Sequence, residues 1–532
     1  MQSNPFEPAD SVASDTPQGT FPTLSELTWS KDIIIVNRTA RALSYCMTPC
    51  FQHFSGLFAD QLKTLRSSSA ATLHQLEALF GAWVPPGCLS QADEGAHSRQ
   101  RKWPFRLVFW TFCWQVAQAG ASCREAIRQA QALCLSVGHR PPPDTTSPYC
   151  QARGALPIER LEQIHNALVR EADHALAEKD LWCGHPVLVV DGTTVVGADT
   201  PENQKAFPQQ SVQKPGCGFP ILRVVGLMSL ATGMLVAWAV GPWRSHELGL
   251  LNTLWDFLPA GHVLLGDRGF CSWGLLAQCH MRKVHVVFRV KGKLRADFRR
   301  GQRLSKNERL VTWFKPKERA RTISKKEWKR LPEQLSLRLV RCHMDVPGFR
   351  TRQVTLVTTL LDRVKYPPAA LSRLYFRRWA MELTFRNLKT TLQMEHLSCK
   401  TPENLERELR MHFLLHNFVR RLMLEAARVH SVHLDRISFA GSLAASRRFS
   451  EALLQARSAK RRKELRDELF RVIALDQVPE RPGRREPRAV KRRPKPYPLL
   501  MKHRRTFREI SHRNRYYKNS VFGPKYRISS KR

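Results

Sequence analysis

Four residues in one stretch have types and spacing that could do chemistry. In "YPPAALSRLYFRRWAMELTFRNLKTTLQMEHLSCKTPENLE", residues 366–406, Tyr375, Arg378, Glu382 and Lys389 stand at offsets 0, 3, 7 and 14. At about 100° per residue they fall within roughly 60° of one another on a helix. Leu374, Met381, Phe385, Leu388 and Leu392 form a separate, apolar stripe, and Arg386 and Trp379 share the polar face. The stretch predicts one helix that gives its core one side and presents a carboxylate flanked by cations on the other. A carboxylate can hold a divalent cation, and the cations and the phenol can hold phosphates. A salt-bridged solvent face explains the same charges, because Arg378 and Arg386 stand four residues either side of Glu382. The helix alone does not decide.

Composition narrows the choice. The chain has 532 residues, too many for one core, so two to four domains are expected. Its 86 Lys and Arg against 45 Asp and Glu give a net charge of +41, which points to a polyanionic partner, most commonly nucleic acid. Thirteen cysteines are scattered, and Cys113, Cys134 and Cys279 sit in apolar runs, a pattern of thiols in a reducing compartment. Cys46 and Cys50 form a C-x3-C pair, but no second pair follows at zinc-site spacing, so structural zinc is not expected. The N-terminus is polar and has no apolar signal core, which argues against secretion and for a cytoplasmic protein. The apolar run 221–240 contains Arg223 and a central Ala-Thr-Gly, and reads as two strands around a turn rather than a membrane span. No P-loop is present, so ATP is not implied.

The elements that must position the four residues come next. Residues 1–25 read as disordered and 26–180 as helical. Within the latter, "RLVFWTFCWQVAQAGASCREAIRQAQAL" is two helices around Ala-Gly-Ala, with Ser122 and Glu125 as a capping box for the second. That pair suits a helix-turn-helix DNA reader, and equally a plain helical hairpin. From 181 the pattern changes. "HPVLVVDGTTVVG" reads as a short buried strand ending at Asp191, a turn and a second strand. "FPILRVVGLMSLATGMLVAWAV" is a hairpin, and "SHELGLLNTLWDFL" a helix capped by Ser245. "HVLLGDRGF" is a strand ending near Asp267, followed by a helix, a strand, a basic insertion at about 291–352, a strand and the opening helix. A helical region (431–478) follows, in which "KRRKELR" is a solvated basic face. A Pro-rich basic tail, 479–532, cannot bury a core.

Strands paired first and helices interleaved later predict a mixed α/β sheet with flanking helices. This is the order of a ribonuclease H-like core with a β-rich insertion. Such a core carries an Asp on its first strand, an Asp at the end of its fourth and a carboxylate on a later helix. Asp191, Asp267 and Glu382 occupy those places. Three like charges in a dry cluster are strongly unfavourable unless divalent cations bind, and oxygen-only ligands select Mg²⁺ or Mn²⁺. Two such ions activate water or a 3′-hydroxyl against a phosphodiester. Arg378 and Lys389 then become phosphate ligands, and Tyr375 positions the strand.

"YFRRWAMELTFRNLK" carries Y-x2-R-x3-E-x6-K and so resembles the bacterial insertion-sequence transposases of the DDE type; "VVDGTTV" and "GDRGF" resemble that family's two Asp motifs. The resemblance covers roughly 180–430. It implies a transposase that cuts and joins transposon ends, with Asp191, Asp267 and Glu382 as the metal-binding triad. It implies Tyr375, Arg378, Lys389 and Arg268 as contacts to end DNA. Two Mg²⁺ ions are the implied cofactor, with Mn²⁺ as the substitute. Double-stranded DNA is the implied partner, held by a homodimer near the nucleoid. In some relatives an insertion Trp stacks on a flipped base; Trp313 in "LVTWFKP" is the candidate here and Trp328 the second, although a packed Trp explains either.

Glu247 in "SHELGLL" is an alternative third carboxylate, though an acid there also suits a helix N-terminus. His246 is only its neighbour, and Asp199 reads as a turn residue. Two other functions share these features: a catalytically inactive or domesticated DNA-binding protein, and a metal-dependent nuclease with the same core. Whether cleavage passes through a hairpin stays open.

Overall fold

The structure, a computed structural model, describes residues 74–90, 103–136, 138–291, 296–343, 353–479, 502–503 and 506. The polar N-terminus, the Cys46–Cys50 pair and nearly all of the basic tail lie outside them. Nine strands form one sheet: β1 (Val187–Val196), β2 (Ile221–Ser229), β3 (Leu235–Pro242), β4 (Val263–Gly266), β5 (His285–Arg289), β6 (Gln302–Ser305), β7 (Glu308–Phe314), β8 (Gln334–His343) and β9 (Gln353–Thr358). Their order is β3-β2-β1-β4-β5-β9-β8-β7-β6. β1, β2 and β3 pair antiparallel, whereas β4 runs parallel to β1 and β5 parallel to β4. That half is the ribonuclease H-like core. The insertion strands β6, β7 and β8 do not fold apart from it. They continue the same sheet through β9, which pairs with both β8 and β5.

The helices are α1 (Gln75–Phe80), α2 (Phe105–Ala117), α3 (Cys123–Ser136), α4 (Thr146–Gly154), α5 (Ile158–His174), α6 (Pro201–Ala206), α7 (Glu247–Leu251) and α8 (Trp273–Met281). After the insertion helix α9 (Lys325–Arg330) come α10 (Pro368–Arg377), α11 (Trp379–Arg386), α12 (Pro402–Val429), α13 (Phe439–Gln455) and α14 (Ala459–Leu475). Both sheet faces are covered, so its central strands are apolar on both sides. Val187, Val189 and Val195 of β1 join Leu222, Val224 and Met228 of β2 in a core with α2, α5, α10, α11 and α12. Leu188 and Val190 face the other way, into a smaller core with Val225, Leu227, α7 and α8. The alternation is the period of two expected of a strand.

The helical segments on either side of the sheet share the larger core. Phe80, Trp110 and Phe109 of α1 and α2 are wholly buried with Phe413 and Phe418 of α12. Asn417 of α12 is buried but satisfied: its side chain accepts from the Leu235 amide at 2.9 Å and donates to the Leu235 carbonyl at 2.8 Å, completing the start of β3. The capping box forms as read. The Ser122 amide donates to Glu125 at 2.7 Å, and the Glu125 amide to Ser122 Oγ at 3.2 Å.

Three local expectations change. No turn follows Asp191: β1 runs unbroken through Gly192 and stays paired with β2 from Leu188 to Val196. The helix after β3 is short and is capped by the His246 ring, not Ser245; Ser245 closes a turn onto the Pro242 carbonyl. The stretch 366–406 is not one helix. It breaks at Arg378, widens into a π turn over Asn387–Thr391, and ends before a loop that leads to α12. The run 221–240 is the β2–β3 hairpin, and no described helix is long and apolar enough to cross a membrane. The described cysteines are all free thiols.

Candidate active site

The register of β1 and β4 places two carboxylates side by side. Val190 pairs with Gly266, so the next residues stand side by side, Asp191 within β1 and Asp267 just past the end of β4. Strands in register lie about 4.8 Å apart. By alternation both point to the face of Val189 and Leu265, which is the face of the larger core.

The third carboxylate arrives over that same face. Leu374, Met381, Phe385, Leu388 and Leu392 are all buried, as the apolar stripe required. Gly226 of β2 pairs with Asp191 and points to the same side. A Cβ on Gly226 would stand 2.8 Å from the terminal methyl of Met381, so the absent side chain lets α11 lie close against the sheet beside Asp191. Glu382, the residue after Met381, lies about 100° round the helix from that contact, on the side where Arg378 meets it. Arg378, at the junction of α10 and α11, joins the two elements. Its guanidinium donates to Glu382 Oε1 at 2.7 Å and reaches Asp191 Oδ2 at 3.4 Å. Glu382 and Asp191 are thus tied through one cation.

The electrostatics follow from the crowding. Burial pushes Asp191 up to about 6; the Gly192 amide and Arg378 pull it down, and Asp267 and Glu382 push it further up. Burial also opposes charge on Arg378, but its bond to Glu382 and the nearby Tyr375 and Asp191 outweigh this and hold the guanidinium above its ordinary value. Burial raises the Tyr375 phenol, while Arg378 and Arg289 lower it and Asp267 raises it. Among the described residues no three His, Cys, Asp or Glu side chains are grouped as a metal site as they stand. The donor set still suits a hard divalent cation. It is all carboxylate, it lies on one face of the sheet, and it already holds one cation between two of its members.

The other sequence candidates fall in different places. Tyr375 is buried, only 8% exposed, rather than on a solvent face, with its ring beneath Arg378. Lys389 lies in the π turn, where the extra residue shifts the helical phase, and pairs with Glu395 at 3.8 Å. Arg268 is exposed on the turn after Asp267. Trp313 and Trp328 pack against the smaller core; the Trp313 carbonyl accepts from Trp273 Nε1 at 3.3 Å, and Trp328 meets Trp273 edge-on. Glu247 sits against Gly192, where a Cβ would stand 2.6 Å from its Oε1, and pairs with Arg223. Gly192 is one residue beyond Asp191, so Glu247 lies on the opposite face of the sheet. His246 caps α7, and Asp199 accepts from Gln204 at 2.9 Å beside α6. Sequence reasoning missed Arg289, at the end of β5 and close enough to act on Tyr375. Its signal was a single cation closing the apolar run "VHVVF".

The transposase DDE domain family matches residues 182–418. A curated relative, the transposase InsG for insertion sequence element IS4 of Escherichia coli (strain K12), is 27% identical over 429 residues, 80% of this chain and 94% of that protein. Residues 182–418 are thus a transposase DDE domain, and the function these matches support is that of a DNA transposase. The putative transposase InsZ of the same strain is 31% identical over 127 residues, 24% of this transposase and 42% of InsZ. A cryo-EM structure titled piggyBac transposase synaptic complex with hairpin DNA covers 77% of the transposase and 87% of its own chain at a TM-score of 0.37 and 11% identity, too weak a likeness to support a statement. As a DNA transposase the chain is an enzyme of DNA strand cleavage and strand transfer, and DNA is its substrate. The matched segment contains Asp191, Asp267 and Glu382.

Proposed function

We propose that Asp191, Asp267 and Glu382 are the catalytic triad with which this transposase cuts and joins the ends of an insertion sequence. The observation that carries the proposal is the placing of the three on one sheet face: Asp191 within β1, Asp267 just past the adjacent parallel β4, and Glu382 linked to Asp191 through Arg378. Held by these carboxylates, two Mg²⁺ ions, or Mn²⁺ in their place, would supply activation of a water or 3′-hydroxyl and stabilisation of the leaving oxygen. The protein's own part is to place the carboxylates and the phosphate. The sheet orients Asp191 and Asp267, and the Gly226–Met381 contact sets the height of Glu382.

Arg378, Lys389 and the exposed Arg268 bind phosphates of double-stranded end DNA; Tyr375 buttresses Arg378, and Trp313 borders the strand. Joining two ends at one target needs two such sites, so the active form is a homodimer on DNA. Hydrolysis and transesterification need no ATP, and the basic surface keeps the enzyme with the nucleoid in the cytoplasm. The helical region 26–180 engages the ends, 181–430 does the chemistry, and the tail from 479 holds DNA non-specifically. The test is metal-dependent nicking and joining of linear DNA carrying the element's ends. Wild type nicks and joins, and Asp191→Asn, Asp267→Asn and Glu382→Gln bind without nicking. Nicking without joining would make it a nuclease, and binding alone an inactive copy.

A further inference from the structure

We propose that Arg378 is a latch on the active site. In the free protein its guanidinium holds Asp191 and Glu382 together in the position of a divalent ion, and a DNA phosphate draws it away so that the ion can enter. The proposal rests on the triad assigned above and concerns how that site is regulated.

Three observations carry it. The guanidinium uses one terminal nitrogen on Glu382, at 2.7 Å, and the other toward Asp191, at 3.4 Å. A cation bridging both carboxylates excludes a second one from the same oxygens. The hydrogen bonding of the side chain is also unfinished. A guanidinium has five N–H donors, yet the buried Nε has no partner among the described residues, and the bond to Asp191 is long. A phosphate offers charged acceptors matched to that fork and would complete it. Finally, Arg378 stands where the helix is interrupted. It ends α10 and begins α11, its amide bonding to Tyr375 three residues back at 3.2 Å. A side chain at such a junction can swing without unwinding either helix.

The consequence is positive coupling. Phosphate at Arg378 frees the carboxylates, and by reciprocity a bound ion frees Arg378 for phosphate. Metal-dependent chemistry is then confined to the DNA-bound enzyme.

The test is a titration of the full chain with Mn²⁺ and no DNA, followed by the electron paramagnetic resonance of free Mn²⁺. Arg378→Gln, which keeps length and removes the competing charge, is expected to bind Mn²⁺ about tenfold more tightly than wild type. Arg378→Lys keeps one charge but cannot span both carboxylates, and is expected to bind about threefold more tightly by the same reasoning. Circular dichroism identifies a variant that fails to fold, and the other then decides. Equal or weaker Mn²⁺ binding by the folded variant overturns the latch. Adding Asp191→Asn to Arg378→Gln should abolish the gain. If the gain persists, the carboxylates are not the ligands, and the latch falls together with the triad. If Asp191→Asn weakens Mn²⁺ binding in wild type while neither Arg378 variant tightens it, the triad stands and only the latch falls.

Discussion

Met381 of α11 packs its terminal methyl against the face of Gly226, 2.8 Å from where a Cβ would stand, directly across the β1–β2 pairing from Asp191. The distance between the Glu382 helix and the first Asp is therefore set by a missing side chain. Gly226→Val is expected to destabilise the fold by about 1–3 kcal/mol through overpacking. It should also lower end cleavage at temperatures where the protein stays folded, with little change in DNA affinity. Thermal unfolding together with single-turnover cleavage checks this. Unchanged cleavage would mean that α11 does not depend on Gly226 for its height.

The opposite placement of the two glutamates makes a sharper test of the triad. Glu382→Gln is expected to abolish nicking in Mg²⁺ while end binding persists. Glu247→Gln, on the other sheet face beside Gly192, should retain nicking within a fewfold of wild type. Substantial nicking by the Glu382 variant together with loss in the Glu247 variant would reverse the assignment.

Asp191 gives a pH dependence whose sign can be worked out. Burial raises its folded value to about 6 from an ordinary 3.8. Between about pH 4 and 6 the folded state therefore keeps a proton that the unfolded state has released. The contribution of this group to stability is greatest below pH 4 and is lost as pH rises through 6. Asn at this position has no proton to lose. The Tm of Asp191→Asn relative to wild type should thus rise across that window and level off above it. A constant difference from pH 4 to 8 would show that Asp191 is not desolvated.

A buried ion pair ties the insertion to the entrance of the Glu382 helix. Arg338 of β8 and Glu308 of β7 are both fully buried and meet at 2.5 Å, and Arg338 also donates to the Tyr366 carbonyl at 2.8 Å, just before α10. Arg338→Met leaves Glu308 with the Ser305 hydroxyl and the half-exposed Arg363, and is expected to lower stability by about 3 kcal/mol. Denaturant unfolding measures this. A loss under 1 kcal/mol would show that water or Arg363 takes over the pair.

The tail from 479 carries a prediction from charge alone. Deleting it should weaken non-specific DNA binding and flatten the salt dependence of log K by several units, at about 0.9 per lost phosphate contact. Nicking of bound ends should survive. A salt titration of the full chain against a chain ending at 478 decides, and equal slopes would mean that the tail does not touch DNA.

Much of this site was legible in order. The buried stripe of Leu374, Met381, Phe385, Leu388 and Leu392 was read from a period of 3.6, and burial along a helix follows directly from that period. The strand end before Asp267 followed from an apolar run stopped by a carboxylate, whereas the end expected at Asp191 did not form. Gly192 misled, because a glycine after an Asp signals a turn, and only full pairing with β2 keeps β1 straight through it. At Lys389 the helical period itself changes. A wheel assumes a constant 100° step, and the π turn breaks that step without any mark in residue type.

The sequence by itself determined the residue types, their order along the chain and the face each takes within its own element. These depend on local periodicity and on polarity, which single segments carry. Tertiary structure decided which faces meet. Glu382 and Glu247 are equally plausible third carboxylates as letters, and only the parity of β1 together with the packing of α11 on Gly226 puts one beside Asp191 and the other behind it. It also decided that Arg378 bridges Asp191 and Glu382, residues 187 positions and 4 positions away, respectively. The first of those contacts is made by strand pairing and helix docking, and no local pattern encodes it.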